Sequence, residues 1–184
     1  MMHMIEPHSL TKTGVPLKLT SMSMDIKERD STATVTLDDR ADMSVRDITK
    51  MWFYDDDTPG KNLVWRARSL NEAYHTKTPV IQLEHIISTL KDTILFKEIT
   101  PATITGNKDA KTVSAKDTIK YLLKQQTTAD WTLSAFECTD VSQGYSFEGE
   151  TIFDALVTVS STLEDCWWEY STNSYPFKLY IRKL

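Results

Sequence analysis

Glycine, cysteine and net positive charge are all scarce in this chain, and each shortage removes a class of function. Five glycines stand among 184 residues. Gly60-Lys61 lacks the partner glycine that a phosphate-cradling loop requires. Lysine and arginine number 21 against 26 acidic residues, a net charge of -5 at pH 7. Phosphate binding normally demands a clustered positive excess, so specific nucleic-acid binding is not expected. No apolar run approaches the roughly 18 residues of a membrane span. The start, MMHMIEPHSL, has no basic segment followed by an apolar core, so neither a signal peptide nor membrane association is expected. The two cysteines, Cys138 and Cys166, are too few and too far apart for a disulfide framework. Two buried free thiols are the expected state, with a single bridge between them as the alternative.

What is present is enough apolar material, 40% of the residues, for the core of one large domain or two small ones. The most informative stretch runs from Ser146 to Ile181. Ile152, Leu156, Val159 and Leu163 recur at helical spacing, flanked by Phe153 and Ala155, which predicts a helix from near Thr151. At Cys166 the period becomes two. Cys166, Trp168 and Tyr170 then face one way and Trp167 and Glu169 the other, while Phe177, Leu179 and Ile181 alternate with Lys178, Tyr180 and Arg182. Turn chemistry at Ser171 to Ser174 makes the two strands a hairpin. A helix laid on a hairpin gives one dry layer.

The rest of the chain divides by pattern. Residues 1–16 have no periodicity and read as an extended or mobile lead-in. Residues 17–78 read as antiparallel β structure: Leu17 to Ile26 and Thr32 to Leu37 joined by the polar link Lys27 to Asp30, with Asp38 to Asp42 ending the second strand. Thr49 to Tyr54 and Leu63 to Leu70 follow, joined by a turn at Pro59-Gly60. Residues 79–184 read as an α+β domain with three helices and a C-terminal hairpin. Val80, Leu83, Ile86, Ile87 and Leu90 predict the first helix, after Pro79, and Thr93 to Phe96 a short strand. Pro101 to Thr112 reads as loop. Ser114, with Asp117 three residues on, opens the second helix, which buries Ala115, Ile119, Leu122 and Leu123. Trp131 to Phe136 begins a strand, and Gly144 punctuates the link to the last helix. The fold class is therefore α+β.

Several constellations could carry chemistry, and none meets its full requirement. A thiol nucleophile would need Cys138 or Cys166 beside His75 or His85, but burial next to Trp167 and Trp168 would raise the Cys166 pKa and leave it inert. His85 reads as a boundary residue of an amphipathic helix, bonded to nearby backbone. His3 and His8 fit no common metal-ligand spacing. Asp55, Asp57 and Gly60 open like a calcium loop, yet Pro59 takes the fifth position and Arg66 the twelfth, where a glutamate is required. Glu148 and Glu150 could be imagined as a glycosidase pair, but two acids before a helix suit its positive end. Lys116, Lys120 and Lys124 share a helix face that reads as solvated. Catalytic residues, cofactors, metals and small-molecule ligands are accordingly not expected. Trp167, on the outward side of its strand and across from Lys178 or Tyr180, marks a candidate protein interface formed by Trp167, Lys178 and Tyr180.

The order of these segments resembles a known family. Ile48 to Tyr54 (ITKMWFY), an acidic glycine-containing turn, Val64 to Ser69 (VWRARS) and Ile81 to Leu90 (IQLEHIISTL) resemble the N-terminal part of phage tail-associated proteins, the prophage endopeptidase tail or minor structural proteins. The likeness continues through Ser114 to Leu123, Ala129 to Leu133 and Phe147 to Tyr170, and covers roughly residues 40–184. The family places a strand pair before a helical segment bearing a Glu-His pair, then a helix, a tryptophan strand, and a helix running into a strand. The resemblance implies a baseplate-hub fold whose first part is tube-type, trimerising around a tail channel with other tail proteins as partners. It implies a location in the virion tail after synthesis in the bacterial cytoplasm. The family continues into more β structure, and the lytic modules behind its name do not match here, so the likeness suggests a truncated or separately encoded form without peptidase activity. The rival expectation is a small cell-wall hydrolase, or a non-catalytic cell-wall-binding module that uses exposed tryptophans.

Overall fold

A computed structural model describes residues 2–12, 17–27, 31–37, 51–55, 63–71 and 80–184. The Pro59-Gly60 turn, Asp38 to Asp42, Thr49, Glu28 to Asp30, Asp57, His75 and Pro79 lie outside the described residues. The fold is α+β. It divides into two compact units, the first comprising Met1–Ser88 with Thr172–Tyr175, the second Thr89–Ser171 with Pro176–Leu184.

The first unit is a six-stranded sheet, β1 (Met2–Ile5), β2 (Leu19–Asp25), β3 (Thr32–Leu37), β4 (Trp52–Asp55), β5 (Leu63–Asn71) and β6 (Val80–His85). Its spatial order is β1-β4-β5-β6-β3-β2, antiparallel throughout. Register shifts between Leu19 and Ser21 and between Ala67 and Ser69 place bulges in β2 and β5. Bulges bend a strand and increase its twist, which lets a sheet curl. Just ahead of β2, the Leu17 N–H donates to the Met2 carbonyl of β1 at 2.9 Å, so the two ends of the sheet approach each other. Met2, Ala33, Val35, Leu37, Phe53, Leu63, Trp65, Ile81 and Leu83 fill the inner face. Side chains alternate across a strand, so β3, β5 and β6 deliver every second residue to that core, while β2 adds only the partly buried Leu19 and Met22.

Two expectations fail here. Residues 2–5 are no lead-in: β1 pairs along its length with β4, Met2 opposite Asp55 and Ile5 opposite Trp52. Four residues are too short a run for alternation to be read. The helix expected from Val80 is instead β6, followed by a single stretch of 3-10 helix, Ile86–Lys91. The alternation that decides it is Ile81, Leu83 and His85, all buried, against the less buried Val80, Gln82 and Glu84. Counting histidine as polar hides that alternation and leaves the accidental helical spacing of Val80, Leu83 and Ile86.

The second unit contains α1 (Pro101–Thr105), β7 (Val113–Ser114), α2 (Ala115–Lys124), β8 (Trp131–Phe136), β9 (Ser142–Gln143), α3 (Ile152–Ser161), β10 (Cys166–Ser171) and β11 (Phe177–Lys183). The helix α2 starts where expected, with the Asp117 amide donating to Ser114 Oγ at 3.1 Å. At α3 the Asp154 amide donates to Thr151 Oγ1 at 3.1 Å, and that hydroxyl donates to Asp154 Oδ2 at 2.7 Å. Both satisfy amides that a helix start leaves open. The expected loop at Pro101 instead opens with a short helix, capped by Thr100 with proline in its first turn and closed by Gly106 at φ 72. Proline costs nothing at that position, and glycine takes the left-handed conformation without strain. The segment Thr93 to Phe96 forms no strand, only an isolated bridge from Ile94 to Thr151, and leaves Phe96 84% exposed.

Strands β10 and β11 form the expected antiparallel hairpin, and β8 adds to β11 in parallel, giving the order β10-β11-β8. One face of this sheet is dry. Trp131, Trp168, Phe177, Leu179 and Ile181 are buried, together with Ile152, Ala155, Leu156 and Val159 of α3 and Ile119, Leu122 and Leu123 of α2. The Phe153 and Trp168 rings meet edge-on at 5.8 Å, and the Trp168 indole N–H donates to Ser160 Oγ at 2.7 Å, so the polar tip of a buried ring is satisfied.

Candidate functional site

The opposite face of the same sheet carries the polar and exposed aromatic residues. Alternation sends Trp167 and Glu169 of β10 outward together with Lys178, Tyr180 and Arg182 of β11. The register sets Trp167 opposite Arg182, Glu169 opposite Tyr180 and Ser171 opposite Lys178. Trp167 is therefore diagonal to Tyr180, and Arg182 is its direct partner. At 39% exposure Trp167 is one of the few large apolar side chains facing solvent among the described residues.

Arg182 organises this face. Its Nε donates to Glu169 Oε2 at 2.8 Å, its Nη1 donates to Glu137 Oε1, and its guanidinium lies 4.8 Å from the centre of the Tyr180 ring. The hydrogen bonds it donates to Glu169 and then Glu137 push its pKa above its already high ordinary value. An arginine fixed by two carboxylates and laid on a ring is a rigid, planar, charged surface of the kind protein partners use. Tyr180 and Lys178 are half-buried beside it. Sequence alternation places Glu169 and Arg182 outward, but their meeting depends on the hairpin register, which the turn length fixes.

The cysteines are not two buried free thiols. Cys138 and Cys166 are joined as a disulfide with Cα atoms 6.3 Å apart, and both are half-buried. The two positions are separated by 28 residues in sequence. They meet because β8 and β10 flank β11, a parallel placement of β8 that local pattern does not reveal. With their sulfurs bonded to each other, neither is a thiol nucleophile.

His85 is in the core, 1% exposed, on β6. It is not a boundary residue of a helix. Its Nδ1 accepts the Ile87 amide at 3.2 Å and its ring meets Trp65 edge-on at 5.7 Å. Burial lowers its pKa from 6.5 to about 3, so it is neutral at physiological pH. In the first unit His8 Nδ1 lies 2.7 Å from the Tyr175 hydroxyl, and Trp52 packs near both rings. His3 is buried on β1. Among the described residues no group of three or more His, Cys, Asp or Glu side chains could hold a metal ion. Lys116, Lys120 and Lys124 are exposed on α2, and Glu148 is exposed before α3 with Glu150 half-buried. No helix among the described residues is long and apolar enough to cross a membrane.

The fold is similar to that in the crystal structure of the tail protein from Neisseria meningitidis MC58, with a TM-score of 0.58 at 10% sequence identity. The match covers 98% of this chain and 49% of that one, so this chain spans about half the length of that tail protein. At such identity the likeness is one of fold alone. No protein-family model matches the chain, and no curated protein does.

Proposed function

We propose that this chain is a structural component of a phage or prophage tail tip, of the baseplate-hub kind, that self-associates around a tail channel and carries no catalytic site of its own. The observation that carries the reading is the fold likeness to a tail protein across 98% of the chain. Two features support it. The first unit is a curled sheet, the architecture that copies could extend or close into a ring. The second carries an outward face with Trp167, Tyr180 and a doubly paired Arg182, suited to a neighbouring copy or another tail protein. The working assembly would be a trimer, located in the virion tail.

Light scattering of the purified chain over a wide concentration range tests this directly. A discrete oligomer is expected, and a species that stays strictly monomeric at high concentration counts against it. Exposed Trp167 also suits the rival, a cell-wall-binding module. Retention on insoluble peptidoglycan, lost on Trp167→Ala, would favour that rival. Release of soluble fragments from peptidoglycan, lost on Glu148→Ala, would favour a hydrolase.

A further inference from the structure

At one end of the second unit's sheet, β8 and β10 are tied to each other across β11 twice. One tie is covalent, from Cys138 just past β8 to Cys166 at the start of β10. The other is ionic, through Arg182 on β11, which reaches Glu169 on β10 and Glu137 just past β8. Backbone bonds close the same corner: the Glu137 amide donates to the Ile181 carbonyl at 2.9 Å and the Leu184 amide to the Asp165 carbonyl at 2.7 Å. Both cysteines are half-buried, whereas Trp168, Phe177, Leu179 and Ile181, which pack the dry face, are fully in the core. A half-exposed cross-link over a corner with its own non-covalent closure can be reached by a small thiol and can open without emptying the core.

We propose that the Cys138–Cys166 pair is a redox clasp, open as two thiols in a reducing compartment and closed outside it, with the Arg182 bridge holding the corner while it is open. Closure proceeds by exchange with a small-molecule disulfide of the oxidised-glutathione class. One cysteine thiolate attacks that disulfide and expels a small thiol. The other thiolate then attacks the protein sulfur of the mixed disulfide and expels the second. The cysteines lose two electrons and two protons, and the small disulfide takes both to become two thiols. With the clasp open, the corner rests on the half-exposed ion pairs without the covalent tie, so salt screening of those pairs weighs more on the open form than on the closed one. The inference does not depend on the tail reading.

The test equilibrates the intact chain in reduced or oxidised glutathione buffer, counts its thiols after denaturation, and follows melting at low salt and at about 1 M salt. A Cys138→Ser, Cys166→Ser double variant runs beside it. Expected are two thiols in the reduced buffer and none in the oxidised one, and a Tm lower by roughly 10 °C when reduced. That loss should be larger at high salt, and the double variant should melt like the reduced protein in both buffers. Thiols that stay free in the oxidised buffer overturn the proposal, as do oxidised and reduced forms that melt alike. Loss of the far-ultraviolet circular dichroism of reduced wild-type protein also overturns it, because the cross-link would then be a requirement of the fold.

Discussion

The two units build their cores in different ways. In the first, strands depend on partners distant in sequence: β1 pairs with β4, β3 with β6, and the outermost strands approach through Leu17 and Met2. In the second, helices announce themselves locally through Ser114 and Thr151, and the sheet beneath is then fastened by Arg182 and the cysteine pair. The inner face of the first unit is shared by residues of several strands, so a single void there is felt by many of them. The second also packs one dry layer, and adds to it separate local devices, each worth less.

Four substitutions sharpen or break that contrast. The largest effect should come from Trp65→Ala, which empties a fully buried ring position on the inner face of β5. A loss of about 3–5 kcal/mol in urea unfolding is expected, because the cavity adds to the lost burial. A loss below about 1 kcal/mol would mean the sheet interior is not a packed core.

Next is the pH dependence set by His85, lowered by burial from 6.5 to about 3. Between those values the unfolded chain binds a proton that the folded first unit refuses. Stability is therefore fully present above pH 6.5 and falls as pH falls through the window, by about 1.4 kcal/mol per pH unit in its middle. His85→Leu should remove that contribution, so the stability difference between wild type and variant should change steadily with pH from neutral to acid. A constant difference would contradict the buried, neutral histidine.

The smallest effects belong to the caps of the second unit. Ser114→Ala and Thr151→Ala should each cost about 1 kcal/mol, read as a shift of the urea midpoint at unchanged slope. If either matched Trp65→Ala, the contrast between one shared interior and separate local devices would fail.

The same contrast explains what could be read in advance. The helices α2 and α3, the α2 cap at Ser114, their buried residues and the hairpin were legible, because capping chemistry and periodicity are encoded within a dozen residues. The strand pairs β2/β3 and β4/β5 were legible for the same reason. Most of what escaped depended on distant partners. β1 is too short to show its alternation, and β6 needed His85 to be counted with the core. The short helix at Pro101 rests on a Thr-Pro start and a glycine stop that a polar stretch conceals. At the candidate interface, Trp167, Lys178 and Tyr180 fall on the outward face as alternation requires, whereas the Arg182 clamp and the Cys138–Cys166 bridge follow from a parallel strand placed beside β11.

The proposal that this chain is an assembling structural part of a tail is met most directly by negative-stain electron microscopy of the intact protein at high concentration. The account predicts particles of uniform size with rotational symmetry and an open centre. Isolated single copies at every concentration would contradict it.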